Sequence, residues 1–290
     1  GFALYFPARS SSGFNFSGLN FIVGYALTTI SLYVLAVVAK LDNQISVFVT
    51  CIFAIGGALA WRRRCNLGVE SLFDQVNPVF FLLLAGMGSI ILNGGIGYTP
   101  TTDDEFTNWI GVSRLIHFSG NFDVIKGTLN HAAYLPGWRL ILLAPWQVKG
   151  YVAMGESAAA PFVLHVGFLA FFYNLVTFWI RKYWNLGRVD QVFLGLGIIF
   201  LFAAAEGLGR LWPFYLLIEP PQIMTFAAIV LTLLAFEEIQ SDKERITRLL
   251  GIILAASIAL KTAALMWIPS LIIAFVIGQI ATRRTLSKDQ

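Results

Sequence analysis

The chain has 290 residues, of which 57% are hydrophobic and only 12% charged, and its mean hydropathy is +0.73. Soluble domains carry about 25% charged residues, so this composition excludes an ordinary soluble protein and predicts an integral membrane protein. The net charge of +4 is better interpreted through the positions of the cations than as a sign of nucleic-acid binding, which we do not expect. The sequence also lacks CxxC, HExxH, P-loop and GxGxxG motifs.

Apolar runs of about the length that crosses a bilayer recur along the chain. Eight are predicted as transmembrane helices, at 18–39, 44–61, 78–97, 161–180, 190–208, 220–237, 246–261 and 264–282. The last two come from one stretch that is too long for a single helix without strong tilt, and we divide it at Lys261-Thr262. The fold expected is therefore an all-α, polytopic membrane protein that forms one transmembrane domain over residues 1–290.

Cations are distributed unequally between alternate loops. On one side each cluster holds three: Arg62–Arg64; Arg181, Lys182 and Arg188; Lys243, Arg245 and Arg248; Arg283, Arg284 and Lys288. The short loops on the other side hold one each: Lys40, Arg210 and Lys261. This is the positive-inside pattern. It predicts cytoplasmic amino and carboxyl termini, in a bacterial inner membrane or another cell membrane, and an extracytoplasmic segment at 98–160.

Two helices are expected within segment 98–160. Apolar residues recur with roughly helical period from Phe106 to Phe118, which predicts a helix lying at the membrane interface and ended by Ser119-Gly120-Asn121. Trp138 to Trp146 is too short to span a bilayer and predicts a re-entrant or interfacial helix. Together the two would cover a cavity.

Three acids in a row, Asp103, Asp104 and Glu105, follow the third predicted span and would lie at the mouth of that cavity. Carboxylates are costly in hydrocarbon, so an acidic cluster at the water boundary of a membrane bundle is a candidate functional site. The simpler interpretation is a solvated loop that ends the span.

The order of these features resembles the GT-C superfamily of membrane glycosyltransferases, which use polyprenyl-phosphate sugars and include dolichyl-phosphate-mannose mannosyltransferases and aminoarabinose transferases. The resemblance rests on the acidic motif directly after a span, on the aromatic helix with its glycine turn, and on a later pattern, Gly251 to Leu260-Lys261-Thr262 and on to Pro269. It covers roughly residues 78–282. Relatives often have one span before the acidic loop, where this chain has two.

The resemblance implies sugar transfer from a polyprenyl-phosphate-linked donor to a hydroxyl of a glycan, lipid or protein acceptor outside the cytoplasm. Its acidic motif maps best onto Asp104-Glu105, so Asp104 is the predicted general base, with Asp103 as the competing assignment. A positioned general base typically raises the rate of such a reaction by about 10²- to 10⁴-fold. Glu105 would orient the base. Asp103 and Glu105 could instead hold Mg²⁺ or Mn²⁺, which prefer oxygen ligands.

Other residues are candidates for substrate binding. Lys261 and Arg210 are the outer cations that could stabilise the leaving phosphate, although Arg210 could equally form a structural ion pair. Arg139 could do the same, with an interfacial anchor as its favoured alternative. In the Pro/aromatic stretch, His131 could contact substrate and Tyr134 could stack on a sugar ring.

Two other functions fit parts of the pattern. A non-catalytic, glycosyltransferase-like subunit of a larger membrane complex would explain the short chain, and it predicts a stoichiometric partner. A transporter or flippase for lipid-linked substrates predicts polar residues in the middle of the spans, of which there are few, such as Asn174 and Thr177.

Overall fold

The computed structural model describes residues 14–65, 79, 103, 105–125, 137–152, 154–184, 187–207, 219–234, 243–260, 269 and 271–273. Within these ranges the chain forms helices and no strand, which confirms the all-α class. The helices are α1 (Ser17–Tyr33, continued by a π-helix at Val34–Val38), α2 (Asn43–Cys65), a π-helix (Glu105–Gly111) that leads into α3 (Val112–Ser119), a 3₁₀ helix (Phe122–Ile125), α4 (Gly137–Lys149), α5 (Met154–Ser157), α6 (Ala159–Tyr183), α7 (Arg188–Gly207), α8 (Glu219–Leu234) and α9 (Lys243–Leu260).

Six of the predicted spans coincide with observed helices: α1, α2, α6, α7, α8 and α9. The other two, 78–97 and 264–282, lie almost wholly outside the described residues. By length and apolar composition, two segments could cross a membrane, Ser17–Val38 and Met154–Arg181. Shorter apolar helices occur at Asn43–Leu59, Val189–Ile198 and Ile223–Leu233. The helices thus support a membrane protein.

Helix α1 packs tightly against α6 through glycines. A Cβ atom built on Gly18 would lie 2.1 Å from the backbone nitrogen of Phe171, and one on Gly167 would lie 2.7 Å from the Phe21 ring. Nearby, Asn174 Nδ2 donates a hydrogen bond to Ser17 Oγ at 3.0 Å. Since rising residue numbers in α1 meet falling numbers in α6, the two helices are antiparallel. Small residues that allow such close approach are typical of helix pairs in membranes.

Helix α9 runs parallel to α1. At their first turns, the guanidinium of Arg245 lies over the Phe16 ring, 3.9 Å from its centroid. At the far end, a Cβ atom on Gly137 would lie 2.5 Å from the carbonyl oxygen of Ala259 and 3.2 Å from Cγ2 of Thr29. The start of α4 is therefore wedged between α1 and the end of α9, where no side chain larger than hydrogen fits.

Helix α4 is enclosed by protein. It packs against α1, α2, α3, α5 and α9, and Trp138, Leu142, Leu143 and Trp146 are fully buried. The predicted helix at Trp138–Trp146 is confirmed, and protein, rather than an open membrane interface, surrounds it. Irregular or short segments at membrane depth require such cover.

The end of α3 is fixed by Gly120 and by the start of α2. Gly120 adopts a left-handed conformation with φ of 74°, which ends the helix as Gly commonly does. Its carbonyl accepts a hydrogen bond from the Asn43 backbone N–H at 2.9 Å, and Asn43 Nδ2 donates to the Ile116 carbonyl at 3.3 Å. The predicted stop at Ser119–Asn121 is confirmed.

Candidate functional site

The acidic run is described only in part. The Asp103 side chain is exposed, and its backbone carbonyl accepts a hydrogen bond from Thr107 Oγ1 at 2.7 Å. The backbone of Glu105 begins the π-helix, while Asp104 and the Glu105 side chain lie outside the described residues. Asp103 and the backbone of Glu105 thus lie at the first turn of a helix rather than in an open loop.

The π-helix from Glu105 to Gly111 differs from the plain α-helix that the sequence predicts. A Cβ atom at Gly111 would lie 2.8 Å from the carbonyl oxygen of Phe106, five residues earlier. Glycine therefore permits the wide turn at this point. Widened helical turns are frequent at functional sites, and this one carries the residues that follow the acids.

Arg139 is the main finding in this region. It lies in the first turn of α4 and is fully buried. Its Nε donates a hydrogen bond to the carbonyl of Asn108 at 3.3 Å, and its guanidinium lies over the Trp109 ring, 5.4 Å from the centroid. A membrane-interface anchor has an exposed charged group. The favoured interpretation of Arg139 as an anchor is therefore wrong.

Two sources of positive potential coincide at the start of α4. The amino terminus of a helix carries about half a positive charge, and the Arg139 guanidinium is fully ionised at every physiological pH. Both contribute positive potential at this end of α4.

One apolar cluster joins this end of α4 to the other predicted site residues. Trp109, Trp138 and Leu260 are all buried members of it. Leu260 directly precedes Lys261, and Trp109 lies one helical turn after Glu105. Lys261 itself lies outside the described residues, as do Arg210, His131 and Tyr134.

The predicted metal site has one fully described ligand, the exposed carboxylate of Asp103. In the part of the chain that the structure describes, no group of three or more His, Cys, Asp or Glu side chains could hold a metal ion. A single carboxylate is the right kind of donor for Mg²⁺ or Mn²⁺ but does not make a site. The metal prediction depends on Asp104 and on the Glu105 side chain.

Several residues at this site carry no sequence signal for it. Asn108 contributes its backbone carbonyl, which any residue type would provide. His117 packs its ring edge-on against Trp146, with 6.0 Å between centroids. Ser113 and Gln147 are polar residues that the structure buries. Of these residues only Ser113 has a local signal of burial, since it lies at helical spacing from Trp109 and Ile116.

Comparison of the chain with protein-family models, with curated proteins and with solved structures finds no match in any of the three. The functional argument therefore depends on the residues themselves.

Proposed function

We propose that the protein is a multi-pass membrane glycosyltransferase that moves a sugar from a polyprenyl-phosphate-linked donor to a hydroxyl acceptor outside the cytoplasm. The observation that supports this best is the buried Arg139 at the start of α4. It is held by the carbonyl of Asn108, three residues after Glu105. A fixed cation held by the helix that follows an acidic run would suit acid–base transfer with an anionic leaving group.

The second cation in the proposal is Lys261. Leu260 packs in the same buried cluster as Trp109 and Trp138, and consecutive Cα atoms are about 3.8 Å apart. In the proposal Lys261, the next residue along the chain, acts on the same phosphate as Arg139. A structure in which the donor phosphate lay far from both cations would contradict this role.

The directions of the helices support the proposed eight-span topology. If spans alternate, the first and fourth must be antiparallel and the first and seventh parallel, as α1 is to α6 and to α9. The loop before α2 and the segment 98–160 are both assigned to the outside, and Asn43 is hydrogen-bonded to Gly120. Both termini would then be cytoplasmic.

In the proposed reaction the acceptor hydroxyl oxygen attacks the anomeric carbon of the donor sugar. Asp104, or Asp103 in the competing assignment, takes the hydroxyl proton as the new bond forms. The bond from the anomeric carbon to the phosphate oxygen breaks, and its electron pair leaves with the polyprenyl phosphate. Arg139 and Lys261 offset the charge that develops on that oxygen.

Further residues have supporting parts in the proposal. Glu105 orients the base or, with Asp103, holds a Mg²⁺ or Mn²⁺ ion, which would add positive charge at the phosphate. His131 and Tyr134 contact the sugar, and Arg210 supplies another cation on the outer side. Each of these assignments comes from the sequence pattern.

The test is a transfer assay with purified protein in nanodiscs and a panel of polyprenyl-phosphate-linked sugars, with release of polyprenyl phosphate as the readout. We expect Asp104→Asn to lower the rate by about 100-fold or more, with a smaller effect of Asp103→Asn. Asp123→Asn, an exposed carboxylate in the same segment, is the matched control and should have no effect.

Full activity in both Asp103→Asn and Asp104→Asn would contradict the assignment of the base. If no donor in the panel reacts and the chain purifies with a stoichiometric membrane partner, the protein is a non-catalytic subunit. Movement of an intact lipid-linked sugar across the bilayer, without release of polyprenyl phosphate, would instead indicate a flippase.

A further inference from the structure

Cations of α6 and α9 lie around the start of α1, at one end of the bundle. The guanidinium of Arg245, in the first turn of α9, lies 3.9 Å from the centroid of the Phe16 ring. The Phe14 ring stands edge-on to Phe16, with 4.8 Å between centroids, and to Phe178 of α6, with 5.4 Å. Arg181 follows Phe178 by three residues, about one helical turn further along α6. We call Phe14, Phe16, Phe178, Arg181 and Arg245 the basic end of the bundle.

Two segments that are long and apolar enough to cross a membrane both end at this cluster. The first, Ser17–Val38, begins directly after Phe16, and the second, Met154–Arg181, finishes at Arg181 itself. Because α1 and α6 are antiparallel, these two ends lie on the same side of a bilayer that both segments cross. The basic end is then at the level of the lipid headgroups. Trp184, which is 70% exposed just beyond Arg181, is of a residue type enriched at that level.

The contact between Arg245 and Phe16 goes beyond what membrane topology requires. Cations orient a membrane protein wherever they lie in a short cytoplasmic loop. Arg245 is instead half-buried, and the ring that it covers is fully buried, so a cation–π contact fixes the position of its charge. A cation that is already fixed loses less conformational freedom on binding an anion than one on a mobile side chain does.

A phospholipid phosphate matches the basic end in charge, in chemistry and in position. The planar guanidinium of arginine donates two parallel hydrogen bonds to phosphate oxygens, and these charge-assisted bonds are stronger than neutral ones. Arg181 and Arg245 belong to different helices that flank the start of α1, so a phosphate bound to both would join three helices. At the headgroup level, the phosphate that is present at the highest local concentration is that of the lipid itself.

We propose that the basic end binds the phosphate group of an anionic phospholipid, with Arg245 as the main contact and Arg181 as the second cation. The proposed topology places this end at the cytoplasmic leaflet, which carries anionic lipids. The start of α4, next to Ala259 and Thr29, is at the other end of α1 and α9. The lipid would therefore stabilise the bundle at a distance from Arg139, and its binding does not depend on the proposed reaction.

The test compares the protein in nanodiscs of phosphatidylcholine with the protein in nanodiscs that also contain phosphatidylglycerol. We expect phosphatidylglycerol to raise the unfolding midpoint, because it binds the folded bundle. Its Kd is measured by titration followed by native mass spectrometry. Arg245→Gln should raise this Kd about tenfold, as loss of a charge-assisted hydrogen bond predicts. Arg181→Gln should raise it about fivefold, as expected for one cation near a lipid surface.

Arg245→Gln also removes a contact between α9 and α1, so the midpoint in one lipid does not separate lipid binding from a structural role. The quantity to compare is the rise in midpoint caused by phosphatidylglycerol within each variant. Arg245→Lys keeps the charge without the planar fork, and it should retain an intermediate rise. A purely structural Arg245 would lower the midpoint equally in both kinds of nanodisc and leave the rise as in wild type, which would overturn the proposal.

Arg114→Gln is the matched control. Arg114 is an exposed cation on α3, whose end is hydrogen-bonded to the start of α2 beyond the far end of α1, so the rise should equal that of wild type. Equal losses in Arg114→Gln and Arg245→Gln would show general attraction to an anionic surface and overturn the site. Absence of a rise in wild type, or an equal rise with inorganic phosphate in phosphatidylcholine nanodiscs, would overturn the lipid as the ligand.

Discussion

Helices α6 and α4 both pack against α1, but they differ in length and in the residues that they bury. Helix α6 has 25 residues and meets α1 through glycines, apolar side chains and the hydrogen bond from Asn174 to Ser17. Helix α4 has 13 residues, meets α1 at Gly137, and brings a buried arginine, two buried tryptophans and a buried glutamine into the protein. Both helices bury polar residues, but of the two only the short one buries an arginine among the described residues.

This difference predicts how each helix responds to substitution. Close backbone contact cannot accommodate an added atom, so changes on the α1–α6 interface should affect folding. Buried polar groups oppose folding unless they are matched, and under the proposed function Arg139 on α4 acts in the reaction. Substitutions there should affect function more than stability.

The largest expected effect is on folding, from Gly18→Ala. Its added Cβ atom would lie 2.1 Å from the Phe171 backbone nitrogen and 2.4 Å from the carbonyl carbon of Ala170. Because backbone atoms cannot turn aside as a flexible side chain does, α1 and α6 must separate. We expect the free energy of unfolding to fall by about 3 kcal/mol or more. The measurement is the unfolding midpoint in detergent, or the yield of monodisperse protein.

Gly56→Ala and Gly197→Ala are the controls for helix propensity. Neither position has an atom within 4 Å of an added Cβ, so both variants should be as stable as wild type or more so, by up to about 1 kcal/mol. If Gly18→Ala behaved like these two, close α1–α6 packing would not hold the bundle together.

The next effect is on activity, from Arg139→Met. This variant leaves the Asn108 carbonyl without the Arg139 donor, which should lower the free energy of unfolding by about 1–3 kcal/mol, and it also removes the cation assigned to the leaving phosphate. We expect the transfer rate to fall by about 100-fold. Arg139→Lys keeps the charge without the planar fork, and it should retain an intermediate rate.

A purely structural Arg139 would give a different result. The transfer rate per folded molecule would then be the same in wild type, Arg139→Lys and Arg139→Met, and only the yield of folded protein would change. Comparison of kcat with KM for the donor sharpens the test, because stabilisation of the leaving group acts on kcat.

A smaller effect is expected where α4 begins. Gly137→Ala places a Cβ atom 2.5 Å from the Ala259 carbonyl oxygen, which should displace the start of α4 and destabilise the fold by about 1–3 kcal/mol. Gly251→Ala on α9, where nothing lies within 4 Å, is the control. Equal unfolding midpoints for the two variants would show that α4 is not wedged between α1 and α9.

The sequence predicted the helices well because their signal is local. Apolar runs and cation clusters identified α1, α2, α6, α7, α8 and α9, and Ser119-Gly120-Asn121 correctly marked the end of α3. In each case the residues that carry the signal are those that form the element.

The site was harder to predict because its contacts are between distant segments. Nothing in the residues around Arg139 shows that its partner is the backbone of Asn108, 31 positions earlier. Its burial depends on the wedge between Thr29 and Ala259, which lie in two other helices. The inward turn of His117 depends on Trp146 in the same way. The roles of Asp103, Asp104, Glu105, Lys261, Arg210, His131 and Tyr134 stay predictions.

The smallest expected effect is at the surface end of α4, where Lys149 Nζ donates a hydrogen bond to Glu156 Oε1. This hydrogen bond, with a second to Tyr151, raises the pKa of Lys149 above its ordinary value of 10.5. A raised folded-state pKa stabilises the protein while the amine is charged. The contribution is therefore complete below pH 10.5 and is lost as the pH rises through the folded-state pKa.

Two variants isolate this contribution from other groups that titrate in alkali. Glu156→Gln should remove it, so its unfolding midpoint should fall less steeply than that of wild type above pH 10.5. Lys149→Arg should keep the pair and stay charged beyond about pH 12, so its unfolding midpoint should also fall less steeply than that of wild type. Glu244→Gln breaks an exposed pair with Arg248 that contains no lysine, and it should leave the slope unchanged. The opposite result is that the unfolding midpoints of wild type and of all three variants fall in parallel between pH 10 and about 12. The pair formed by Lys149 and Glu156 would then contribute nothing to holding the end of α4, and only the buried contacts around Gly137 would fix that helix.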